Sequence, residues 1–262
     1  MSHLSHDVID ATIEELRHVA LAAEDACGYF AALYVRVTQD IAGRVRDRGF
    51  EDGARMEALA DTFAGYYLRA RRGEGPVPRC WQASWDVAPD PDLLIVQHLL
   101  LGANAHVNHD LTQAVVDVAE RHGGLAAVRD DFDTVNDVLA ASFTSVIRDL
   151  DRVSRWASEA AALGGGLLFN FSLRRARSTA WQGAQRLEAL DADERREYVH
   201  QLDGWVSTLA YLITHPSPPV ALLARLGRRL EMQDAVLVTR VLLGDITAQE
   251  AFRAAGGRLR TA

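Results

Sequence analysis

Lysine is absent from this chain: all 28 basic residues are arginine, set against 36 acidic ones for a formal net charge of -8. An acidic chain of this kind has no basic footprint for a nucleic-acid backbone, so nucleic acid is excluded as a partner. The missing lysine itself reads as a coding bias against A-rich codons, because 28 separate needs for a planar bidentate donor are implausible. Cysteine is limited to Cys27 and Cys80, without zinc-ligand spacing, which excludes a disulfide framework and a cysteine-rich metal site and points to a reducing, cytoplasmic setting. No apolar run approaches the ~20 residues of a membrane span. The opening MSHLSHDVIDATIEEL is acidic where a secretory signal needs a positive flank, so neither a membrane nor export is expected. Proline occurs at only seven positions, between Pro76 and Pro91 and between Pro216 and Pro219, leaving three long stretches free of the strongest helix breaker.

Those stretches read as helix after helix, and none alternates apolar and polar residues as a half-buried strand would. The expected fold is all-α, a single-domain multi-helix bundle over residues 1–262 around one long, buried, central helix. The patterns predict helices from Ser5 or Asp7 to about Asp25, then at about 28–48 and 51–72, where Gly49 and Gly73 stop them. The segment RRGEGPVPRCW then reads as an exposed connection. Asp90 as cap and Pro91 in the first turn predict the long helix from Asp92 to His122, stopped by Gly123-Gly124. Asp130 and Asp131 read as the start of a helix over 131–157, and further helices are expected at about 172–190, 192–214, 219–232, 234–243 and 247–255. Gly164-Gly165-Gly166 is the main internal break.

The long helix carries the candidate chemistry. QHLLLGANAHVNHD holds three of the nine histidines and two of the only four asparagines. At about 100° per residue, His98, Gly102, His106 and Asp110 follow one i+4 row, with His109 and Gln113 beside it and Asn104 and Asn108 on another face. Leucine and valine fill most of the rest. A buried polar group without partners costs about 1–3 kcal/mol, so a structural helix would more cheaply carry Leu or Ala at these places. Gly102 costs roughly 1 kcal/mol against alanine inside a helix, which implies close approach by another backbone or by a ligand. The functional reading makes His106 a general base or acid, Asp110 the residue that orients its ring, and His98 a second acid/base. A buried polar network that fixes helix register is the competing reading. A divalent metal on His98, His106 and Asp110 is a third, although two histidines eight apart are less diagnostic than HExxH.

Four blocks, QHLLLGANAHVNHDL, VRDDFDTVNDVL, NFSLRRARSTAW and LITHPSPPVALLARL, together resemble a bacterial domain-of-unknown-function family, number fifty-nine ninety-five in that series. The similarity runs from about residue 30 to residue 230, which leaves 231–262 as a C-terminal helical extension. All four asparagines fall inside the blocks: Asn104, Asn108, Asn136 and Asn170. The family's polar pattern maps onto His98, Asn104, His106, Asn108, Asp110, Asp131 and Asn136. His109 stands where relatives are usually apolar or aromatic, and WQASW departs from the usual Trp followed by Ala-Phe, which marks the wall near Trp85 as specialised. The resemblance implies no reaction, only an association of some members with natural-product pathways.

The expected function is therefore a small-molecule enzyme of specialised metabolism, with His106, Asp110 and His98 catalytic. Asn104, Asn108, Asp131, Asn136, Asn170, Arg177 and Trp81 are the expected substrate-binding residues. Trp85 and Trp181 could also line a pocket, and Arg174 and Arg175 could join Arg177 in holding an anionic group. A cyclisation, elimination or hydrolysis fits, including an intramolecular displacement of an anionic leaving group, because proton transfer and orientation suffice. No dinucleotide or phosphate-cradle motif is present, and no cofactor is expected. Two alternatives stay open: a zinc, iron or manganese hydrolase on the same residues, and a non-catalytic helical binding protein. A homodimer or a pathway partner enzyme is compatible with all three.

Overall fold

The computed structural model describes residues 7–135, 138, 139, 142, 154 and 173–256. Among them the chain is an all-α, multi-helix fold with no strand, apart from an isolated bridge between Ser154 and Glu231. α1 (Asp7–Ala22), α2 (Cys27–Arg46) and α3 (Gly53–Arg72) pack on one another. Asp52 caps α3 by accepting from the Arg55 backbone N–H at 3.0 Å, and Gly73 ends it in the left-handed region at φ 68°.

The expected exposed connection holds as far as Pro78, but its last three residues, Arg79 to Trp81, form the first turn of a helix, α4 (Arg79–Asp86). Its first turn is satisfied from a distance: the Asp203 carboxylate accepts from the backbone N–H of Arg79 at 3.0 Å and of Cys80 at 2.9 Å. A cap from so far along the chain leaves no local signature, which is why the sequence reads as loop.

The long helix runs as α5 (Ile95–Ala105), a π-helical turn (His106–Asp110) and α6 (Leu111–Arg121). It starts three residues later than expected. Asp90 spends its side chain on the Asp92 N–H, while Gln97 takes the Leu94 N–H at 3.0 Å and Glu231 takes that of Ile95 at 2.9 Å. Almost every residue of α5 is buried, because α2 and α4 flank it together with a later helix, α9 (Ala192–Thr214).

The helix expected from 131 begins at 125, after Gly123 and Gly124 at φ 90° and 93°. Asp130 and Asp131 thus lie inside helix α7 (125–135) and do not start it. Most of the expected 131–157 helix, and the Gly164–Gly166 break, lie outside the described residues.

α8 (Leu173–Ala189) packs on α6, and the Asp191/Glu194 capping box starts α9. α10 (Pro218–Arg228), α11 (Ala235–Leu243) and α12 (Ala248–Ala254) follow, and α11 packs against α1 and α2. One apolar core joins Leu16, Val35, Met56, Val115 and Leu242, so helices from both ends of the chain share it. No helix among the described residues is long and apolar enough to cross a membrane.

Candidate functional site

Between α5 and α6 the helix widens by one residue, and the Leu111 N–H bonds back to the His106 carbonyl five residues earlier. Within this turn Asp110 serves two imidazoles. His106 Nδ1 lies 3.0 Å from its Oδ2, and His109 Nδ1 lies 2.8 Å from its Oδ1. Trp81 of α4 adds a third donor, its indole N–H 3.0 Å from Oδ2. Burial pushes the Asp110 carboxyl upward, but the hydrogen bonds and charges of His106 and His109 outweigh it and hold the group below its ordinary value. His106 is pulled below the ordinary imidazole value by burial, with Asp110 acting the other way. At neutral pH the pair is a carboxylate and a neutral imidazole, with the ring proton on the Nδ1 that faces the acceptor and a lone pair on Nε2.

Nε2 of His106 is buried and has no hydrogen-bond partner among the described residues. The ring forms part of the wall of a partly open cleft of about 100 Å³ between α2, α3, the long helix, α7 and α8. Apolar side chains dominate this cleft. Phe63 lies flat on the imidazole with centroids 3.5 Å apart, Tyr34 meets it edge-on at 4.4 Å, and Phe30 closes in at 5.4 Å. Gly102 permits this closeness: a β-carbon there would fall 2.4 Å from Cγ of Phe30. The approach foreseen for Gly102 is therefore real, but it is made by an aromatic side chain and not by a backbone or a ligand.

Arg177 is the only charged residue among the described lining residues. It is buried, its guanidinium lies 4.0 Å over the Phe132 ring, and it donates to the Phe132 carbonyl. Burial pushes its pKa down to about 9, with Asp133 acting the other way, so it remains a cation at neutral pH.

The structure thus brings His106, Asp110, Trp81 and Arg177 to one region and disperses the rest. His98 is two turns away, since eight helical residues rise about 12 Å, and it cannot share an ion with His106; the metal set of His98, His106 and Asp110 is corrected on that ground. His98 instead packs edge-on against Tyr29 at 5.9 Å. Asn104 donates to the Val206 carbonyl at 2.9 Å and so ties α5 to α9, while Asn108 donates to the Asn104 side chain at 2.9 Å, and neither amide lines the cleft. Asp131 accepts from the Glu51 and Asp52 backbone N–H groups and from the Arg55 guanidinium, a cap for α3 and not a substrate contact. Trp85 stacks behind Trp81, and Trp181 packs on Phe132 under Arg129, so neither lines the cleft. Asn136 and Asn170, and the Arg174 side chain, lie outside the described residues.

Sequence reasoning missed the aromatic wall. Its signal was present as Phe30/Tyr34 and Phe63/Tyr67, two i+4 aromatic pairs on neighbouring helices. No curated protein and no solved structure matches the chain. Its match to a family sequence model covers residues 7–216, beginning earlier and stopping sooner than the 30–230 delimited by the motif blocks, and on that span the chain belongs to the family of unknown function DUF5995.

Proposed function

We propose that this protein is a small-molecule enzyme of specialised metabolism that uses His106 as a general base in the aromatic cleft. The observation that carries this reading is the buried, unpartnered Nε2 of His106 at the cleft wall, with Nδ1 fixed by Asp110. Nε2 takes a proton from bound substrate, the Asp110 carboxylate stabilises the imidazolium that forms, and the same proton returns to the product or leaving group. Trp81 and Phe63 hold carboxylate and ring in place, so orientation adds to proton transfer. An apolar body of roughly single-ring size suits the cleft, and Arg177 suits an anionic substituent on it. Such a site favours a cyclisation or elimination over hydrolysis, because the apolar walls exclude water. The free thiols Cys27 and Cys80 suit a reducing cytoplasm as the place of action.

The test compares wild type with His106→Gln on small lipophilic acids in D2O, followed by mass spectrometry. A base at His106 makes the wild type consume or deuterate a compound that His106→Gln leaves untouched. If both proteins bind the same compounds and neither changes them, the cleft belongs to a binding protein.

A further inference from the structure

His109 is the second imidazole held by Asp110, and it does not line the aromatic cleft. It meets Cys80 of α4 and Asp203 of α9: all three are buried, and one donor atom from each lies within 4.8 Å of the other two. We propose that Cys80, His109 and Asp203 form a binding site for a thiophilic divalent cation of the zinc class.

The donor set is the first argument. Thiolate, imidazole and carboxylate together suit zinc and exclude magnesium or calcium, which take oxygen ligands. Around a tetrahedral zinc ion, ligand atoms stand about 3.5 Å apart, so side-chain rotations of about an ångström close this trio onto an ion. The second argument is the support behind it. With Nδ1 engaged by Asp110, His109 has Nε2 left to coordinate, and a carboxylate behind a ligating imidazole is the usual means of fixing its tautomer and aim. Asp203 is likewise anchored, its Oδ2 accepting from the Arg79 backbone and side chain while Oδ1 accepts the Cys80 N–H. Capping α4 explains the place of Asp203 and its neighbour Cys80, but it leaves the buried imidazole beside them unexplained.

A bound dication takes the Cys80 thiolate as ligand, and the thiol proton goes to solvent. None of this depends on the base assigned to His106.

The full chain, stripped with chelator, is titrated with Co2+ and followed by absorption. One equivalent raises a thiolate-to-cobalt charge-transfer band that Zn2+ then abolishes. Cys80→Ala loses the band with its far-ultraviolet dichroism intact, and Cys27→Ala keeps it. Zinc-edge absorption on the wild type gives one sulfur and a remainder of nitrogen and oxygen ligands, a reading that stands even if Cys80→Ala does not fold. The proposal is overturned by the absence of any band, by a band that survives Cys80→Ala or disappears in Cys27→Ala, or by an edge spectrum without sulfur.

Discussion

The imidazole of His106 lies parallel to the Phe63 ring, with 3.5 Å between centroids and 6° between planes. That face-on cover fixes the ring about the axis that the Asp110 bond leaves free. Phe63→Leu keeps the site apolar and costs about 1 kcal/mol of stability, yet it lets the imidazole rotate away from its aim. Turnover falls by up to about 100-fold, and the His106 ring resonances shift in NMR spectra. Unchanged turnover in the variant would mean that Asp110 alone orients the base.

Gly102→Ala strikes the same site from behind. Alanine gains about 1 kcal/mol in helix propensity, but its methyl falls 2.4 to 2.6 Å from three carbons of Phe30. Neither α5 nor α2 can give way cheaply, so overpacking wins and the variant is less stable by about 1–3 kcal/mol. Urea unfolding measures this directly, and Phe30→Leu in the same chain restores part of the loss.

His98 governs part of the acid response. Burial, with Arg228 adding to it and Asp90 and Asp25 opposing, pulls its pKa from 6.5 to about 4. Between those values the unfolded chain binds a proton that the folded chain refuses. Its contribution to stability is therefore complete above pH 6.5 and is lost as pH falls toward 4, by roughly 3 kcal/mol. Urea midpoints at pH 7.5 and 4.5 check the sign: His98→Phe flattens the dependence relative to wild type.

Asp131 and Asn104 carry structure and spare the chemistry. Asp131→Ala removes the 2.6 Å partner of the buried Arg55 guanidinium, which keeps only longer ion pairs to Glu51 and Asp52, and strands two backbone donors, a cost of about 2–3 kcal/mol. Asn104→Leu leaves the Val206 carbonyl and the Asn108 amide without their partner, for about 1–3 kcal/mol. Both variants, where folded at low temperature, retain wild-type turnover per folded molecule, whereas a specific loss of turnover would return these side chains to the substrate.

The helices announced themselves where their caps are local. The helix expected at about 192 begins at Ala192, where the Asp191/Glu194 box caps it locally, and Gly73 marked the end of α3. Where a cap comes from another part of the chain the prediction failed: α4 depends on Asp203, and the first turn of α5 depends on Glu231. The same division holds at the site. His106 and Asp110 are four apart and so were legible as a pair, whereas the two histidines on one carboxylate depend on a π-helical turn that no local propensity encodes. Scarcity of asparagine directed attention to Asn104 and Asn108, but a residue retained against compositional bias serves packing as readily as chemistry.

The bond from Glu231 to the Ile95 backbone spans 136 positions of sequence. It joins the first turn of the helix bearing His106 to a residue beyond the matched span of 7–216. During synthesis, then, that helix emerges well before the Glu231 part of its cap exists. Until residue 231 has emerged, the Ile95 N–H lacks this acceptor, and only the Gln97 side chain, which takes the Leu94 N–H, caps that turn.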